Sequence, residues 1–282
     1  MTRSSLAASR DTWPASLALV YRRDGVRSTL AERRHVGPLT VQKPLYPEGD
    51  AICHTILVHA PGGIAGGDEL ALDMRIEAGC HVVVTTPAAT KWYKANGRAA
   101  SQENRIRVGD GATLEWLPQE AIVFEEAEAR LTTRIDLVES ARYAGWEIVC
   151  LGRRASGENF RRGSLRQRLE ITRNDERLWN EFGLLFADDP LMQSPVGLAG
   201  HSVFGGFIVA AGLVPADVVA ACRAHAPKDG AGHGVTAVPG IFSARYLGDS
   251  VENARDYFQA LWGVLRPWYA ETPARRPRLW NT

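Results

Sequence analysis

The chain has 282 residues, 45% of them hydrophobic and 23% charged. That balance argues against a disordered polymer, in which a low apolar content accompanies a large net charge. Its 33 Lys and Arg against 32 Asp and Glu leave a net charge of +1, which speaks against the broad basic footprint of a nucleic-acid binder. No apolar run approaches the roughly 18 residues needed to span a bilayer, and no cationic start precedes an apolar segment as in a secretory signal. Four scattered cysteines (53, 80, 150 and 222) form no CxxC pair and read as reduced thiols. The expectation is a soluble cytoplasmic protein with neither membrane nor nucleic acid among its partners.

Residues 1–15 are read as a flexible N-terminus and 16–270 as a single β-rich domain. From about residue 16 to 186 the dominant period is two. Strands are predicted over 52–58, 70–76, 82–86, 106–108, 114–117, 122–124, 131–138, 146–151 and 165–172. Gly-rich and Asn-Asp turn signals separate them, such as Gly62-Gly63, Gly66-Gly67, Gly109-Asp110-Gly111 and Asn174-Asp175. Two short helices follow. One lies near 215–226, opened by Pro215 and stopped by Pro227. The other spans 251–265, with Ser250 as N-cap, an apolar stripe from Ala254 to Leu265, and Pro267 beyond its end. Ile241 to Leu247 is a strand between them, and 271–282 forms a C-terminal arm.

A weak internal echo refines this picture. Glycines 79, 111 and 145 each precede an apolar strand, which aligns Val82, Leu114 and Ile148. One such unit cannot bury its apolar face alone, so a repeat implies a stacked-strand, β-helix-like body. The alignment also gathers Thr86, Gln119-Glu120 and Arg153 along one edge.

Several motifs carry chemistry weakly. The run from Pro61 to Asp68 is Gly-rich, but it ends in a carboxylate and leads into a strand, which does not suit a phosphate cradle. It reads as a tight turn that exposes Asp68. Cys53-His54, His59 and Cys80-His81 look like a soft cluster, yet adjacent strand residues face opposite ways and the spacing of a closed zinc site is absent. Ser156 lies in a loop without a G-x-S-x-G elbow. Glu115, Glu120 and Glu147 sit among apolar strand residues. Such carboxylates are costly if they point inward without a partner or cation, and alternation could equally turn Glu115 and Glu147 to solvent. One competing reading is a β-helical carbohydrate-active enzyme using Asp68 and Glu147 as a carboxylate pair. Another is a bare interaction module.

Taken in order, the motifs resemble one family. They run His35 to Gln42 with Pro44 and Tyr46-Pro47, His59 to Asp68, Thr86 to Tyr93, Leu114 to Glu120, Trp146-Glu147, and Cys150 to Arg153 with Ser156-Gly157-Glu158. This series resembles the urease accessory protein UreD family, called UreH in some systems, from about residue 17 onward. Ala60 and Ala88 are its small departures. The resemblance implies a β-rich, non-enzymatic scaffold that meets apo-urease and UreF, and UreG through UreF. It also implies a passage for nickel, which is in transit and leaves no permanently bound cofactor. Asp68, Glu120 and Glu147 would serve as transient oxygen ligands on that path, with Thr85, Thr86 and Gln119 as weaker dipoles. Lys91, Trp92, Tyr93 and Lys94, together with Arg278 and Trp280, have a composition suited to partner contacts.

Overall fold

A computed structural model describes residues 13–281. Residues 1–12 of the expected flexible N-terminus lie outside the described residues, and the rest of that segment is not loose, because Pro14 opens a strand. In chain order the strands are β1 (Pro14–Asp24), β2 (Arg27–Val36), β3 (Leu39–Val41), β4 (Ile52–His59), β5 (Gly63–Ile64), β6 (Glu69–Ile76), β7 (His81–Thr85), β8 (Thr90–Trp92) and β9 (Ala100–Val108). They continue as β10 (Thr113–Trp116), β11 (Ala121–Val123), β12 (Glu128–Leu137), β13 (Arg142–Leu151), β14 (Ser164–Arg173), β15 (Glu176–Phe186) and β16 (Val203–Ala210). Helix α1 (Ala216–Arg223) precedes β17 (Gly232–Val238) and β18 (Ile241–Gly248), and α2 (Val251–Ala270) follows.

From β4 to β14 the chain winds as a β-solenoid with three rows of parallel strands. The first row is β4, β7, β10 and β13. The second is the short β5, β8 and β11, which ends on the last residues of β13. The third is β6, β9, β12 and β14. On one side β1 adds to the third row in parallel with β6 and the antiparallel β2 closes it; on the other the antiparallel β15 closes it, while β16, β18 and β17 continue antiparallel from β13. The echo is therefore real in its first two copies, where Leu114 pairs with Val82. It fails in the third, where Leu114 pairs with Tyr143 and not with Ile148. Gly79 and Gly111 are turn residues with φ of 69° and 65°, whereas Gly145 lies inside β13. In the third coil Glu139 takes the left-handed conformation (φ 48°), so no glycine marks the turn.

Period two places one apolar core inside the solenoid, with Leu72, Met74, Val82, Ile106, Leu114 and Ile135 among its members. A second core lies on the outer face of the larger sheet, where the α2 stripe covers Trp146. Trp146 meets Phe207, Phe258, Trp262 and Trp280 with ring centroids 5.5, 6.5, 6.3 and 5.6 Å away. Ser250 caps α2 as expected, its hydroxyl accepting from the Asn253 N–H at 3.1 Å. Pro267 does not end the helix, which runs on to Ala270. Pro267 and Gly263, the i−4 residue whose carbonyl loses its helical donor, both lie on the exposed face of the helix, where water can take up that carbonyl. Burial of Arg266 and Tyr269 on either side of Pro267 holds the last turn in place. The arm after 270 also docks, with Pro277 and Trp280 buried.

Candidate functional site

Along β9, residues 100, 102, 104, 106 and 108 share the inward face, and Gln102 and Asn104 interrupt an otherwise apolar row. The amide of Gln102 donates to Asn104 Oδ1 (3.1 Å), and Asn104 Nδ2 donates to Thr133 Oγ1 on β12 (3.2 Å). The Thr133 hydroxyl donates to Glu147 Oε1, and Gln167 Nε2 on β14 donates to Glu147 Oε2, both at 3.1 Å. A polar thread thus crosses the solenoid interior and ends on a carboxylate of β13. Alternation on β13 sends Glu147 inward with Tyr143, Gly145 and Val149, while Ala144, Trp146 and Ile148 face the helices.

Two cavities border Glu147. One, of about 210 Å³, extends past Trp116, Asn104 and Gln102 to His59, Gly62 and the segment 86–92. The other, of about 190 Å³, extends past Gly205 and Gly206 to Glu181, Gly183 and Arg245. Glu147, Val149 and Gln167 line both, so the carboxylate stands where the two spaces meet. Burial pushes the Glu147 carboxyl up to about 7, and the nearby Glu181 carboxylate adds to the rise, although the Thr133 and Gln167 hydrogen bonds oppose it. At neutral pH this group is poised between its two protonation states.

The other predicted site residues fall in different places. Thr86 and Gln119 line the larger cavity, and the Gln119 N–H donates to Thr86 Oγ1 at 3.0 Å. Thr85 points the opposite way, donating to the Leu117 carbonyl (2.7 Å) and accepting from Trp280 Nε1 (2.9 Å) under α2. Glu120 lines neither cavity; its carboxylate lies 3.6 Å from Arg255 Nη1. Asp68 likewise lines neither, and its Oδ2 accepts from the Ala65 N–H (2.8 Å) to close the glycine turn. Asp68 and Glu147 therefore form no catalytic pair. Arg153, expected on the edge with Thr86 and Gln119, instead pairs with Glu158 and lies over the Phe124 ring.

Of the partner-surface candidates, Lys91 lines the larger cavity, and Tyr93 packs edge-on against Phe124 at 5.1 Å. Lys94 pairs with Glu126, and Arg278 is exposed. Trp92 and Trp280 are buried, 1% and 7% exposed, because each fills a core position; they anchor the fold and offer no free surface. The histidine–cysteine cluster does not assemble either. Strand alternation sends Cys53 into the solenoid core, while His54 bonds Glu48 and His81 bonds Glu115. Among the described residues no group of three or more His, Cys, Asp or Glu is placed to hold a metal ion.

Sequence reading weighed His59 only within the cysteine–histidine cluster, whereas the residue stands at the wall of the larger cavity with its Nδ1 buried and without a hydrogen-bond partner. That reading missed Asn104, Thr133, Gln167, Glu181 and Arg245. The usable signal was polar residues at inward parity within strands that alternate cleanly on either side. Glu115 is the opposite case. It is fully buried, but beneath α2, where it meets His81, Trp262, Arg266 and Tyr269.

The class is a β-solenoid whose largely apolar interior holds a short chain of amides, a hydroxyl and one buried carboxylate, with a helical layer packed outside. Comparison with known proteins gives the class its family. The sequence model of the UreD urease accessory protein family matches residues 14–281. Curated relatives named urease accessory protein UreD include those of Methylobacillus flagellatus (50% identical, covering 96% of this chain and 95% of the relative) and Dechloromonas aromatica (49%, 96% and 95%). That of Azoarcus sp. is 45% identical over 99% of this chain and 97% of its own length. The chain belongs to the UreD family. It is a urease maturation factor serving metallocentre assembly and not an enzyme. No helix among the described residues is long and apolar enough to cross a membrane.

Proposed function

We propose that this chain is a scaffold and nickel conduit, joining apo-urease to UreF and, through UreF, to UreG. The observation that carries the reading is the junction of two interior cavities at Glu147, with Gln167 and the Asn104–Thr133 thread beside it. Nickel in transit must be held and then released. Imidazole and thiolate cages bind it tightly, whereas a few dispersed oxygens pass it on. Glu147 is the principal ligand, Thr86 and Gln119 supply dipoles toward the 86–92 mouth, and Asp68 and Glu120 act from outside the cavities through their charge. Thr85, committed to Trp280 and the Leu117 carbonyl, braces the wall. Lys91, Tyr93, Lys94 and Arg278 remain the partner-facing candidates. The chain works in the cytoplasm and keeps no resident cofactor.

The test uses cells lacking the native protein, complemented with variants whose complexes still co-purify with apo-urease. Gly183 lines the smaller cavity, and a Cβ built there meets nothing within 4 Å, so Gly183→Leu fills the path without a backbone clash. Gly183→Leu and Glu147→Ala are expected to lower nickel loading of urease, and Asp68→Ala to lower it less. Full loading with the first two would defeat the conduit and leave the scaffold.

A further inference from the structure

The smaller cavity ends at a cation of the protein's own. Arg245 on β18 donates from Nη1 and Nη2 to the two carboxylate oxygens of Glu181 on β15, at 2.6 and 2.7 Å. The two strands belong to different sheets, so the pair spans the gap between them at the cavity wall. Trp179 steadies this arrangement, its indole N–H donating to Glu181 Oε2 at 3.3 Å and its ring lying 5.9 Å from the guanidinium.

Register relates this pair to Glu147. Glu147 is opposite Gly206, and Gly206 is opposite Arg245, so the three occupy one cross-strand row. Gly206 is the only one of them without a side chain. A Cβ there would come within 2.5 Å of Arg245 Nη1, which shows that the guanidinium lies in the bay the glycine leaves. The arginine head therefore sits over β16, the strand between its own β18 and the β13 that carries Glu147, in a cavity that both carboxylates line. Tyr143 is the other ionisable group on this stretch of wall, and burial keeps its phenol protonated.

We propose that Arg245 is a tethered, displaceable counter-cation: it occupies the station between Glu181 and Glu147 when no metal is present, and a divalent cation entering the cavity takes its place. This inference rests on the conduit reading and adds its regulation. A guanidinium is permanently charged and planar, and it holds both oxygens of one carboxylate at once. While it does so, Glu181 is not free as a ligand, and a fixed positive charge opposes a dication in the same space. The pair is also easily exchanged. Arg245 and Glu181 side chains are 43% and 40% exposed, and ion pairs this accessible contribute little to stability. Swinging the guanidinium to solvent frees the Glu181 carboxylate and withdraws the positive charge from the space it shares with Glu147, and its return expels the ion.

The test is Ni²⁺ binding to the purified full-length chain by equilibrium dialysis, with circular dichroism to confirm folding. Arg245→Gln is expected to bind Ni²⁺ at least tenfold more tightly than the native chain. The gain should vanish in Arg245→Gln combined with either Glu181→Gln or Glu147→Gln. Arg245→Lys, which keeps the charge without the two-pronged grip, should lie between. Unchanged affinity in both folded Arg245 variants would overturn the inference. If Arg245→Gln does not fold, the lysine variant and Glu181→Gln decide: the inference requires tighter binding in the first and no binding above native in the second. Because the readout is binding by the isolated chain, its failure is separate from that of the conduit, which the Gly183→Leu activation assay decides.

Discussion

Arg266 and Glu115 are 151 residues apart, and the guanidinium Nε lies 3.0 and 3.1 Å from the two oxygens of the carboxylate, with both side chains wholly excluded from solvent. The pair joins α2 to the centre of the larger sheet. Arg266 also grips Glu48 through Nη1 (2.6 Å) and Nη2 (3.0 Å) and donates to the Pro273 carbonyl, so one side chain holds the helix, the 42–50 loop and the C-terminal arm together. His54 completes the outer end on Glu48 at 2.7 Å, and His81 the inner end on Glu115 at 2.6 Å. Desolvation of these charges is met by near-complete hydrogen bonding, which is the condition under which a buried ion pair is tolerable.

Removing one partner should therefore cost far more than the pair is worth. Arg266→Met leaves Glu115 and Glu48 buried and short of a countercharge, and a loss of about 3–5 kcal/mol is expected in urea denaturation. Exposed pairs such as Arg34–Glu32 give the contrast, since Arg34→Met should change stability by well under 1 kcal/mol. Equal effects from the two substitutions would refute the clamp.

The same cluster sets an acid limit. Burial alone would raise the Glu115 carboxyl, but His81 and Arg266 outweigh it and hold the group down at about 2, against 4.5 for an ordinary glutamate. A depressed carboxyl contributes stability that is present above its unfolded value and is lost as pH falls from about 4.5 toward 2. The size of that contribution is about 3 kcal/mol. Comparing urea midpoints of the native chain and Glu115→Gln from pH 7 to pH 3 isolates it. The native protein should be well ahead at pH 7, and the gap should shrink below pH 4.5; a constant gap would rule the titration out.

How far these features were legible depends on whether parity or partner choice decides them. Strict alternation announced β6, where Leu70, Leu72, Met74 and Ile76 are all buried, because one face had no alternative to the core. The same rule could not place Glu115 and Glu147. Alternation puts each on one of two faces, but one face of the larger sheet meets a helix and the other a cavity, and only the distant β9, β12, β14 and α2 reveal which is which. Strand β15 escaped notice because an edge strand, half exposed on both faces, loses the period-two signature. Trp280 looked like part of a free arm, since nothing local indicates that it completes an aromatic cluster with Trp146 and Trp262.

That cluster makes the C-terminal arm structural. Trp280→Ala removes a side chain that packs on two tryptophans and donates to Thr85, and a loss of about 3–5 kcal/mol is expected. Deleting residues 272–282 should do at least as much harm, because it also takes the Pro273 carbonyl from Arg266. A truncated chain that keeps its melting temperature and its near-ultraviolet dichroism would show the arm to be dispensable for folding.

Glu147 predicts the reverse sign. Its folded carboxyl titrates near 7, above the ordinary 4.5, so the native state holds this proton more tightly than the unfolded chain does. The contribution is fully present below about pH 4.5 and is lost as pH rises through 7, leaving an uncompensated buried charge in alkaline solution. Glu147→Gln keeps the size and the contact with the Thr133 hydroxyl but carries no titrating group. In metal-free protein it should therefore gain on the native chain by up to about 3 kcal/mol between pH 5 and pH 8.5. Thermal melts of both proteins across that range test the point: curves that diverge as pH rises support a carboxylate held in the interior at a cost to stability, and parallel curves would place Glu147 in contact with bulk water.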